Sequence, residues 1–174
     1  ENLDSMSISC ENLVTNKIFD VKGKRNRSAK IDSITRVSIT CDFVLLLQSK
    51  YKVTYTQKGC RPVSIYFDTE LPKSAEGEYG LRFKLDLKSL NDSINTDLKI
   101  EQGILYRYEP NTEDFNYVKN ANSLIAEMLF NIGVEKMVKN EFDNALAVYT
   151  EALIFNPENI DALYNRGVIK LKLK

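Results

Sequence analysis

The chain has 174 residues, 43% of them apolar, with 24 basic residues matched by 24 acidic ones and no histidine. An even charge balance lacks the basic footprint of a nucleic-acid binder, and the missing imidazole removes the commonest general base and the usual partner of a serine or cysteine nucleophile. The length suits one ordinary domain or two small ones with a real core.

Residues 1–15 are polar, with a loose arm or a short strand expected near Leu13 and Val14. Lys17 to Lys24, followed by Arg25 to Ile31, reads as a strand, a Gly-containing turn at Gly23 and a second strand. The charges Lys22, Lys24, Arg25 and Arg27 fit a solvated hairpin tip, because no aromatics are interleaved with them. From Asp32 to Lys50, Ile34, Val37, Cys41, Val44 and Leu45 fit a helical stripe, while the Val, Thr and Ile content favours strand. The expectation here is a helix from about Ser33 to Ser49.

Tyr51 to Thr56 alternates as a half-buried strand does, Lys58-Gly59 turns the chain, and Val63 to Phe67 is the return strand with Pro62 at its start. Leu71 to Gly80 is a surface loop, and Leu81 to Leu87 alternates apolar and charged residues as a strand with one wet side. After a polar break at Asn91 to Asp97, Ile100 to Tyr108 and Phe115 to Val118 give one more strand or hairpin across a turn-rich connector at Glu109 to Asp114. A boundary between about Tyr117 and Asn122 separates a β-rich domain (1–119) from a helical segment (120–174). Asn122 or Ser123 is expected to cap the first helix. Helices should run to about Val138, from Phe142 to Phe155, and from about Asn159 onward.

Cys10, Cys41 and Cys60 lie far apart without a CxxC pair, so local spacing builds no thiolate metal site and they read as small buried apolar residues. The longest apolar run, Phe43 to Leu47, is too short to cross a bilayer. No glycine-rich phosphate loop occurs, and acidic pairs such as Glu76 and Glu78 sit in loops as solubilising charge. No catalytic residue, metal or cofactor is expected.

The helical end is the most specific stretch. From Ala126, small or apolar residues fall at Leu129, Ile132, Gly133, Ala145, Tyr149 and Ala152, with Pro157 near the end, and the pattern restarts at Ile160 with Leu163 and Gly167. Gly133 and Ala145 lack the bulk that holds antiparallel helices apart, and Tyr149 beside Ala152 makes a large-next-to-small seam. Asn140 suits a left-handed turn, and Pro157 excludes Asn156 from helical geometry. This spacing resembles a tetratricopeptide repeat, a helix-turn-helix unit of about 34 residues. A full repeat would cover 126–159, and 160–174 would be the first helix of another. Lys136 stands where the family usually has an aromatic, so its aliphatic stem, or Met137, should fill the gap. The fold class is therefore α+β, a β-rich N-terminal domain followed by one and a half repeats.

The resemblance implies non-enzymatic association with a protein or peptide, or a scaffold role. By the family's register Phe130, Val134 and Met137 of the first helix and Tyr164, Asn165 and Val168 of the echo line a groove, with Glu127, Val138, Asp161 and Leu171 beside them. Relatives that grip acidic chaperone tails use a lysine and an asparagine where Phe130 and Val134 stand, and only Asn165 matches their clamp. Without charge-assisted donors for a carboxylate, an amphipathic helix or apolar peptide is the better ligand. The competing reading is that these residues pack against neighbouring helices or the N-terminal domain. Leu163, Val168, Ile169 and Leu171 exceed what the preceding hairpin can cover. The chain is thus expected to be a piece of a longer one, or to self-associate through this helix.

A second resemblance runs from Phe19 to Lys24, through the stretch read as helical, to Lys50-Tyr51-Lys52 and Lys58 to Phe67. That order is similar to the TonB C-terminal domain, which implies a periplasmic transport-coupling component that binds by strand addition; otherwise a cytoplasmic setting is expected. Val53 to Thr56 with Phe67-Asp68 also resembles the opening strands of FK506-binding prolyl isomerases, whose tryptophan-floored pocket needs a residue this chain does not contain.

Overall fold

The computed structural model describes residues 6–20, 23–31, 34–41, 45–57, 62–73, 85–86 and 103–173. In chain order the strands are β1 (Met6–Asn12), β2 (Lys17–Asp20), β3 (Gly23–Ile31), β4 (Ile34–Cys41), β5 (Lys50–Gln57), β6 (Val63–Asp68), β7 (Leu85–Asp86), β8 (Ile104–Glu109) and β9 (Asp114–Val118). Three helices follow, α1 (Asn122–Val138), α2 (Phe142–Phe155) and α3 (Ile160–Lys172). The class is α+β.

Alternation builds the larger sheet, ordered β2-β1-β5-β6-β8-β9. Alternate residues of a strand share a face, and the antiparallel register sets Ile8 opposite Tyr55, Cys10 opposite Val53 and Asn12 opposite Tyr51. On the next strand Ile65 faces Val53 and Phe67 faces Tyr51. These side chains are buried, so one continuous row of cross-strand pairs forms the core of this sheet. Phe67 also stacks on Tyr106 with centroids 5.6 Å apart. The alternation at 51–56, the return strand at 63–67 and the strands at 104–109 and 114–118 match the expected pattern. The arm expected near Leu13 is a turn after β1, where Asn12 Oδ1 accepts hydrogen bonds from Val14 N (3.0 Å) and Thr15 N (2.9 Å) and Asn16 takes φ 59°.

Two expectations fail. The helix read over Ser33 to Ser49 is instead strand β4, paired antiparallel with β3 on one side and β7 on the other. Its sequence ITRVSITC is dominated by β-branched residues, which lose side-chain freedom in a helix and pack well on a pleated surface. Beyond it the backbone is bonded outside any helical ladder: Gln48 N donates to Thr69 O at 2.9 Å, Ser49 N to Thr69 Oγ1 at 3.0 Å and Leu46 N to the Tyr51 hydroxyl at 3.1 Å. Gln48 sits at φ 57°, which no right-handed helix contains. The second failure is the hairpin read across Gly23. β2 pairs with β1, and β3 belongs to a separate three-stranded sheet, β3-β4-β7. The turn at Lys58-Gly59, most of the loop 71–80, most of the strand 81–87 and the break 91–97 lie outside the described residues.

The chain divides into two compact units, one of Glu1–Asp97 with Tyr106–Tyr117, the other of Leu98–Leu105 with Val118–Lys174. Among the described residues no helix is long and apolar enough to cross a membrane.

Candidate functional site

The second unit is built around Gly133. A β-carbon there would lie 2.6 Å from Cε1 and 2.8 Å from Cδ1 of Tyr149. The glycine thus lets α2 press its largest ring against the α1 backbone. Ala145 and Ala152 on α2 are fully buried, as is Tyr149, and the rings of Phe130 and Tyr149 lie tilted with centroids 5.7 Å apart. The small-against-large seam read from the sequence is present. Burial raises the Tyr149 hydroxyl above its usual pKa, partly offset by the hydrogen bond it accepts from Asn165 Nδ2 at 3.1 Å.

Lys136 is 2% exposed. Its stem is thus buried, Met137 packs against the neighbouring core cluster, and the Lys136 Nζ reaches to 3.9 Å from Glu141 Oε2 at the start of α2. Between the helices Asn140 takes φ 60°, donating its N–H to Met137 O at 3.1 Å, while Glu141 N bonds Lys136 O at 2.9 Å. That left-handed residue satisfies carbonyls the helix end would leave open. α2 stops at Phe155 ahead of Pro157, and Asn159 caps α3 by accepting from Ala162 N at 2.9 Å.

The expected cap at the start of α1 is not made. Ala121 holds the N-cap position without a side-chain bond. Asn122 uses its Oδ1 to accept from Gly103 N at 2.7 Å. A β-carbon at Gly103 would strike Ile125 Cδ1 and come within 2.9 Å of the Phe155 ring. Gly103 is therefore seated against the start of α1 and the end of α2. Local pattern contains no sign of this long-range role for Gly103 and Asn122.

The six groove residues fall into three groups. Phe130, Val134 and Met137 are half-buried and pack against the cluster of Ala145, Tyr149, Leu153, Ala162 and Ile169. Asn165 is engaged by Tyr149. Tyr164 is 70% exposed and Val168 half-buried.

A helix pair closed over a glycine, a left-handed turn, and a third helix capped by its own asparagine define a helical-repeat segment. A family model described as TPR repeat matches residues 135–174, which supports a tetratricopeptide segment there. No curated protein and no solved structure matches the chain. The match lends nothing to the TonB-like or isomerase readings of the N-terminal strands, and β4 stands where the TonB order needs its helix.

Proposed function

We propose that the chain acts without catalysis, as a protein-binding module, through the helical segment beyond about residue 120, with the β-rich part to about residue 119 as a separate domain. The ligand is an apolar peptide or amphipathic helix laid along Phe130, Val134, Met137, Tyr164, Asn165 and Val168. The observation that carries this is Tyr164: a large ring left 70% open to water within a segment of a family built for protein contacts. Phe130, Val134 and Met137 would offer their outer edges as the floor, and Tyr164 with Val168 the wall.

Because Phe130 packs on Tyr149, substitutions there would disturb the seam itself. Tyr164→Lys with Val168→Asp changes the open wall instead. A photo-crosslinking residue at 164 should trap a partner in cells, and the double variant should lose that partner in pull-downs while its far-UV circular dichroism is unchanged. Equal recovery of the partner by the double variant and the parent chain rejects the groove.

A further inference from the structure

β9 closes one side of the larger sheet, with β8 as its neighbour and no described strand beyond it. The turn at 110–113 joins the two strands directly, so they run antiparallel, and alternate backbone groups of β9 point away from β8. Phe115 marks which ones. Its N–H donates to Asp114 Oδ1 at 2.7 Å instead of to the ladder. Phe115 and, two residues on, Tyr117 therefore turn their amides and carbonyls outward.

Their side chains also share a face, since Phe115 meets Tyr108 and Tyr117 meets Tyr106 edge-on, with centroids 5.8 and 5.9 Å apart. Tyr117 is nevertheless 47% exposed, and Asp114 and Asn116 are exposed beside it. An edge with open amides, aromatic side chains and no proline is a template for another strand. Its chemistry is the same from both ends. An aromatic stands on each side of Asn116, and beyond them lie an acid, Glu113, and a base, Lys119, both exposed.

We propose that β9 is a self-association edge, along which two copies of the chain pair antiparallel about Asn116 and join their larger sheets into one.

The second copy fits on three counts. A two-fold axis normal to the sheet keeps the same face of both copies on the same side, so only residues an even number apart in sequence can stand opposite one another. The register centred on Asn116 obeys this and sets Phe115 opposite Tyr117 of the second copy, and the reverse. Those residues carry the open amides and carbonyls, so each pair exchanges two hydrogen bonds, Asp114 yielding the Phe115 amide to a carbonyl. Both pairs are aromatic and lie on the face that already holds Tyr106 and Tyr108. Glu113 then comes level with Lys119 of the second copy at each end. Sliding the register by two residues would instead set Glu113 against an aromatic. The groove on the helical segment plays no part in this pairing.

Sedimentation equilibrium on the whole chain tests it. A strand edge this short makes a weak contact, so a monomer–dimer equilibrium with a Kd of about 10–100 μM is expected, weakening as salt is raised. Glu113→Lys and Lys119→Glu each bring like charges together at both ends and should weaken the dimer about tenfold. An equimolar mixture of the two variants should dimerise as the parent chain does, and so should the double variant, because every charge again meets its opposite. A variant that had merely failed to fold could not recover in this way. Tyr117→Pro removes an outward amide without taking a bond from β8 and should abolish the dimer, whereas Leu163→Lys on α3 should leave it unchanged. A chain that stays monomeric at about 1 mM, a dimer indifferent to the charge reversals or to Tyr117→Pro, or one dissolved by Leu163→Lys overturns the proposal. So does growth past the dimer, since β9 would then be pairing with the opposite edge of the sheet, β2.

Discussion

Replacing each helical glycine with alanine, one at a time, isolates the role of the seam. Within a helix this change ordinarily stabilises by about 1 kcal/mol, because alanine has less backbone freedom to lose. At Gly167 nothing opposes that gain, so Gly167→Ala should approach it. At Gly133 the new methyl would lie 2.6–2.9 Å from three atoms of the Tyr149 ring, and that ring is fully buried against Phe130. It can yield only by pushing its neighbours, and overpacking of this kind costs about 1–3 kcal/mol. The two substitutions should therefore differ by about 1–3 kcal/mol, Gly167→Ala being the more stable. Urea unfolding followed at 222 nm measures the difference, and thermal melts should separate the variants by several degrees, at about 2–4 °C per kcal/mol for a chain of this size. Equal stabilisation by both would mean that Tyr149 does not rest on the α1 backbone, and the account of the helical segment would fail with it.

Cys10 is buried and its thiol is pushed up to about 11 by burial first and the neighbouring Glu11 second. It should resist thiol-specific reagents at neutral pH in the folded chain and react once denaturant is added, and a fast native reaction would contradict its place opposite Val53. Asp68 is raised above its ordinary value of 3.8, chiefly by burial, against the lowering pull of the Glu70 backbone amide, Lys50 and Arg107. Because the folded state holds this proton more tightly than the unfolded chain, its contribution is full below 3.8 and is lost as pH rises through the folded pKa. Asp68→Asn should accordingly stabilise the chain at neutral pH and flatten the stability profile on the acid side, as denaturation at pH 4 and 7 would show. Lys136→Met keeps the packed stem and removes a charge enclosed in the seam, so stability should hold or rise by about 1 kcal/mol. Calorimetry showing a loss above about 2 kcal/mol would instead assign the ammonium a net stabilising role.

The helical segment was legible because its information is local. Glycine, alanine and proline act on the few residues around them, and Gly133, Asn140, Asn159 and Pro157 each do in the structure what their chemistry alone requires. The return strand of β5 was legible for a similar reason, since alternation over a short run leaves few options, whereas its pairing with β1 was not. The stretch 33–49 was not, because a run of apolar residues at mixed spacing fits two periods at once, and the contest was decided by pairing with β3 and β7 and by hydrogen bonds donated to Thr69 and Tyr51, all lying outside the window. The same holds for Asn122, whose obvious local use as a cap yielded to a partner far back at Gly103. Of the groove, the order of residues along the helices could be read, but not that Tyr149 would occupy the Asn165 amide.

The strip at 103–105 also carries a practical lesson about cutting the chain. It runs into the first strand of a hairpin, β8 beginning at Ile104, yet clusters with the helices beyond that hairpin. An expression clone that starts at residue 120, the natural-looking seam in the primary sequence, would discard the lid over Ile125 and Phe155 and leave Asn122 without its donor. Such a truncation should yield a fragment with a greasy, sticky flank.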